Sequence, residues 1–151
     1  MKNSEKLKKI LVISGPNISF LGADETSIDE QIFLKEIHST LNSIGSEFNV
    51  EVVCVQFDQE KETIDCLQKA TDAFRGIIIN AGILARNGYA LRNAIEALAV
   101  PCVEVFVSNV HASEECRHQS VIASACVGVI GGFGIKSYIL ALQALVHLRE
   151  V

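Results

Sequence analysis

At 151 residues the chain is the length of one ordinary domain, expected over 1–151, and long enough to bury roughly two-thirds of its unfolded surface. Hydrophobic residues make up 49% and charged residues 21%, which excludes a disordered chain. A net charge of −5 excludes a general attraction to nucleic acid or acidic lipid.

The chain begins with a basic cluster, Lys2, Lys6, Lys8 and Lys9. The apolar run behind it, Ile10–Ile13, is too short for the core of a signal peptide, so the lysines are expected to be a solvated leader. No stretch approaches the ~20 apolar residues of a membrane span. The expectation is a cytoplasmic protein with no membrane partner.

Lys9–Ser14 is the first of five near-continuously apolar runs, the others being Val50–Gln56, Gly76–Asn80, Val100–Phe106 and Val127–Gly131. Such runs suit parallel strands covered on both faces. Between them lie helical stripes at intervals of three and four: Phe33, Ile37, Leu41 and Ile44; then Ile64, Leu67, Ala70 and Phe74; then Leu91, Ile95 and Leu98. Ile139, Leu142, Leu145 and Leu148 close the series. This alternation predicts an α/β, flavodoxin-like, doubly wound five-stranded parallel sheet of strand order 2-1-3-4-5.

In such a sheet, ligands bind beyond the C-terminal strand ends. Five segments are therefore expected around one crevice: the long loop Gly15–Asp29, the tail of the second strand, Asn80–Asn87, Phe106–Arg117 and the turn Gly131–Gly134. The glycines of that turn lack the spacing of a dinucleotide or P-loop motif and are read as a tight strand-to-helix connection. Gly15-Pro16-Asn17 is either a turn or a device that directs Asn17 into the crevice. Asn80 either caps the next turn or faces a ligand. The five cysteines include no C-x-x-C pair and are expected to be free thiols. His111, Cys116 and His118 lack an evident fourth ligand, so no metal is expected, nor any other cofactor.

Polar groups concentrate in Glu104–Ser120, EVFVSNVHASEECRHQS. This segment resembles the active-site segment of type II 3-dehydroquinate dehydratases, approximately E-V-H-(L/I)-S-N-(V/I)-H-A-R-E-x-F-R-x-x-S. GPNISFLG resembles that family's G-P-N-x-N-x-L-G, and Asn80-Ala81-Gly82 its N-(P/A)-G. The resemblance runs from about Lys9 to Leu148. It implies conversion of 3-dehydroquinate to 3-dehydroshikimate in the shikimate pathway, without a cofactor, by a homo-oligomer that is a trimer or dodecamer. It places Asn17 and Glu104 among the catalytic positions, with Glu104 orienting a histidine. It places Asn80, Val107 and Ser108 around a substrate carboxylate, and Arg117 on substrate hydroxyls. Arg86 stands where the family has another substrate-binding histidine.

The departures fall on the chemistry. The family's proton-donor histidine is Phe106 here. Ungapped continuation from Gly22 puts Asp24 at its loop arginine and Asp29 at its tyrosine base. Asn93 replaces an aspartate that meets a neighbouring subunit's site. A tyrosinate is a far stronger base than an aspartate, and a phenyl ring transfers no proton. The sequence therefore leaves three readings: a nearly inactive paralogue binding a small polyhydroxylated carboxylate, an enzyme of altered chemistry, or a dehydratase using another route. The first is favoured.

Overall fold

The structure is a computed structural model and describes residues 8–16, 30–112 and 119–148. Five parallel strands form one sheet in the order β2-β1-β3-β4-β5. They are β1 (Lys8–Ser14), β2 (Val50–Gln56), β3 (Gly76–Asn80), β4 (Cys102–Phe106) and β5 (Gly128–Gly131). The helices are α1 (Glu30–Glu47), α2 (Glu60–Ala70), α3 (Tyr89–Glu96) and α4 (Ile135–His147).

The central strands are apolar because they are covered on both faces. Val12, Ile78, Val103 and Val105 meet α1 and α4 through Phe33, Ile37, Leu41, Tyr138 and Leu142. Leu11, Ile13, Ile77 and Ile79 point the other way and meet Leu67 of α2 with Leu91 and Ile95 of α3. Period-two alternation within each strand thus feeds two core layers.

The edge departs from expectation. Strand β5 is not covered on both faces: Val127 is 62% exposed and Val129 50%. Among the described residues, the chain between β4 and β5 holds two short 3₁₀ turns, Val110–Ala112 and Ala123–Ala125, and no α-helix. Strand β4 begins at Cys102 rather than Val100, since Pro101 has no N–H to donate to the ladder, although its carbonyl accepts from Ile77 N at 2.9 Å. Phe74, Leu98 and Leu148 fall just beyond their helices, and Leu148 is exposed.

Ser14 pairs in register with both Gln56 and Asn80, so three strand ends are flush. Backbone bonds lock them: Gly15 N donates to Asn80 O at 2.7 Å and Phe57 N to Ser14 O at 2.9 Å. The chain leaves β1 so close over β3 that a Cβ on Gly15 would run into the Ala81 carbonyl oxygen. Only glycine fits there.

Candidate functional site

The C-terminal ends of β1, β3 and β4 bring the described parts of the expected crevice together. Asn80 closes β3 and is fully buried. Its Nδ2 donates to the Tyr138 hydroxyl at 3.0 Å, and its Oδ1 accepts from Gly82 N at 3.2 Å. The second bond caps the turn Gly82–Arg86, whose first residue has φ 58°. The amide is held at both ends before any ligand arrives. Burial pushes the Tyr138 phenol up to about 12, so it is a neutral hydrogen-bonding group and supplies no base.

On β4, Glu104 and Phe106 point to the same face, two residues apart. Glu104 is 0% exposed. Its Oε2 accepts from Ser120 Oγ at 2.6 Å, and its Oε1 is buried with no partner among the described residues. Burial pushes this carboxyl up to about 7, against the opposing pull of the Ser120 hydrogen bond. Phe106 is 7% exposed and packs its Cβ towards Gly131, where an added methyl would approach to 3.1 Å. A hydrocarbon ring thus shares a strand face with a half-satisfied carboxyl.

Beyond Phe106, Val107 and Ser108 are half-buried. The Asn109 side chain accepts from the His111 amide at 3.1 Å and shapes the next 3₁₀ turn, Val110–Ala112. His111 and Arg86 are exposed.

The glycine turn after β5 spends its amides internally. Gly132 N donates to Phe106 O at 3.3 Å, Gly134 N to Val107 O at 2.8 Å and Phe133 N to Ser137 Oγ at 3.0 Å. Gly132 and Gly134 have φ of 96° and 62°, so glycine serves the backbone conformation and none of these three N–H groups remains for a phosphate.

Asn17, Asp24, Asp29 and Arg117 lie outside the described residues, as do Cys116 and His118. Among the described residues no group of His, Cys, Asp and Glu could hold a metal ion. No helix there is long and apolar enough to cross a membrane.

Two participants have no individual role in the sequence reading. Tyr138 fixes the Asn80 amide, and its signal is a hydroxyl-bearing aromatic within an otherwise apolar helix face, which needs a partner when buried. Ser120 is the partner of Glu104 and stands at the last position of the segment quoted above.

Residues 8–146 match the family described as Dehydroquinase class II. The 3-dehydroquinate dehydratase of Caldicellulosiruptor bescii is 44% identical over 145 residues, covering 95% of this chain and 100% of that protein. That of Caldicellulosiruptor saccharolyticus is 46% identical over 140 residues, covering 92% and 97%. The crystal structure of type II dehydroquinase from Butyrivibrio crossotus superposes with a TM-score of 0.81 at 37% identity, covering 92% of this chain and 97% of that one. A matched profile across nearly the whole chain, near-full-length relatives and a shared 2-1-3-4-5 sheet agree that this chain belongs to the class II dehydroquinase family.

Proposed function

We propose that this protein binds 3-dehydroquinate, or a closely similar polyhydroxylated carboxylate, beyond the ends of β1, β3 and β4. On this reading its 3-dehydroquinate dehydratase activity is lost or strongly reduced. The observation that carries it is Phe106 two residues from Glu104 on one strand face: the carboxyl that would orient an imidazole has one oxygen without a partner among the described residues, and the ring on its face cannot donate a proton.

The dehydration removes a proton α to a ketone, forms an enolate and expels water. It needs a strong base and an acid at the departing oxygen, each commonly contributing roughly 10²–10⁴ in rate. On the ungapped alignment to the family pattern, Asp29 and Phe106 stand at those two positions. The retained set would bind: Asn80, Ser108 and the Val107 amide for the carboxylate, and Arg117 for hydroxyls, while Arg86 replaces a family histidine. Amides and a guanidinium grip an anion by charge-assisted hydrogen bonds without moving a proton.

A second reading, an enzyme of altered chemistry, draws on one observation. A carboxyl titrating near 7 lies in the range suited to general acid–base work, and Glu104 is such a group. Both readings keep the homo-oligomer, trimer or dodecamer, in the cytoplasm, and neither calls for a cofactor.

The test is turnover of 3-dehydroquinate, followed by the enone absorbance of its product, beside calorimetric titration with shikimate-type acids. Binding without turnover is expected. Ordinary turnover would overturn the loss of activity, and absence of binding would overturn the retained pocket. A product other than 3-dehydroshikimate would favour the second reading.

A further inference from the structure

We infer that Cys126 is a thiol-modification site at which a small disulfide such as oxidised glutathione drives closure of a reversible Cys102–Cys126 disulfide. This is independent of the reading of the crevice.

Cys102 opens β4, and Cys126 follows the 3₁₀ turn Ala123–Ala125 that leads into β5. The two strands are in register at Val103 and Gly128, and Val127 N donates to Cys102 O at 2.9 Å. Cys126 is therefore the diagonal neighbour of Cys102. Val127, directly opposite, turns outwards, while Cys126 packs into the same core layer as Cys102. The two side chains meet there. Paired strands lie about 4.8 Å apart and one residue of offset adds about 3.3 Å along the strand, giving about 5.8 Å between Cα atoms, inside the roughly 4.4–6.8 Å range of disulfides. With Cys126 just ahead of β5 and its thiol against that of Cys102, little backbone movement is needed to join them.

Their exposures differ in a useful way. Cys102 is buried and Cys126 half-buried. Contact with Cys126, then burial, holds the Cys102 thiol well above the usual range, making it a poor first nucleophile. Entry is through Cys126. Its thiolate attacks one sulfur of glutathione disulfide, breaking that S–S bond, forming a mixed disulfide and releasing one glutathione thiolate. The Cys102 thiolate then attacks the Cys126 sulfur and releases the second. The protein loses two electrons and two protons, and one glutathione disulfide becomes two glutathione thiols.

The other described cysteines are placed differently. Cys54 lies in the opposite core layer, its thiol pushed up to about 12 by burial. Cys66 sits on α2, its thiol raised by burial against the opposing effect of Lys69. The Cys102–Cys126 bond would close a ring of chain containing Glu104, Phe106, Ser108 and Ser120, joining the two flanks of the segment that carries them.

The reduced full-length protein, incubated natively with oxidised glutathione and then alkylated, should lose two hydrogens in its intact mass. Peptide mapping should show Cys102 linked to Cys126, and dithiothreitol should reverse the link. Cys102→Ser should instead trap one glutathione on Cys126. Should that variant fold poorly, the map of the unmodified protein decides alone. A stable glutathione adduct on Cys126 without ring closure, a bond to Cys54, Cys66 or Cys116, or an unreacted Cys126 would each overturn the proposal.

Discussion

Ser120 Oγ donates to one oxygen of Glu104 across 2.6 Å, while the other oxygen is enclosed without a partner among the described residues. A carboxylate so placed is costly, so the acid form is favoured in the folded protein.

The consequence is a stability that falls as pH rises. In the folded chain Glu104 titrates at about 7 against the usual 4.5, so between those values the native state holds the extra proton. Stability from this group is present below about 4.5 and is lost as pH climbs through 7, a change of about 3 kcal/mol. Chemical denaturation at pH 5 and pH 8 should show it, and Glu104→Gln should flatten the profile. An unchanged slope in that variant would place the titration elsewhere.

Phe106→His should restore a partner for Glu104 and remove most of that pH dependence. It should restore little turnover if, as proposed, Asp29 stands at the base position. The triple change Asp24→Arg, Asp29→Tyr and Phe106→His should exceed the product of the separate effects, since acid, base and activating cation act as a unit. Steady-state turnover of 3-dehydroquinate across the seven combinations decides it. Multiplicative behaviour would contradict the idea.

Ser108→Ala combined with Arg117→Ala should abolish binding of shikimate-type acids in calorimetry. Unchanged affinity would show that ligands bind elsewhere.

Tyr138→Phe removes the acceptor of the Asn80 amide and should cost about 1–2 kcal/mol; Asn80→Ala, which also uncaps Gly82, should cost about 2–4 kcal/mol. Denaturation midpoints report both. If Asn80→Ala costs less than Tyr138→Phe, the buried amide is not the centre of this network.

The bare face of β5 is a surface that the proposed homo-oligomer would cover. Val127, Val129 and the nearby Phe133 are exposed in the single chain. A trimer or larger assembly is expected in native mass spectrometry, and a strictly monomeric species would contradict it.

The strands were legible because a parallel strand covered on both faces reads as a continuous apolar run, as in Ile77–Ile79. The same rule misjudged β5: composition at Val127 and Val129 says what a residue prefers, not whether a neighbour arrives to cover it. That Gly15, Asn80 and Phe106 come together at flush strand ends followed from the strand order alone. The Asn80 network was not, because its partner Tyr138 is 58 positions away. Glu104 stood out as a carboxylate in an apolar run. Its bond to Ser120, 16 positions on, depends on how the chain returns, which local pattern does not encode.

Gly15 and Phe106 would answer differently to laboratory evolution. Any side chain at 15 drives its first carbon into the Ala81 carbonyl, so a library sorted by soluble yield would return glycine there. The same sorting would keep Phe106, which fills its place in the core. Reporters of folding therefore read the first position and are blind to what the second does for chemistry. Only selection on binding or turnover of the proposed ligand would register it.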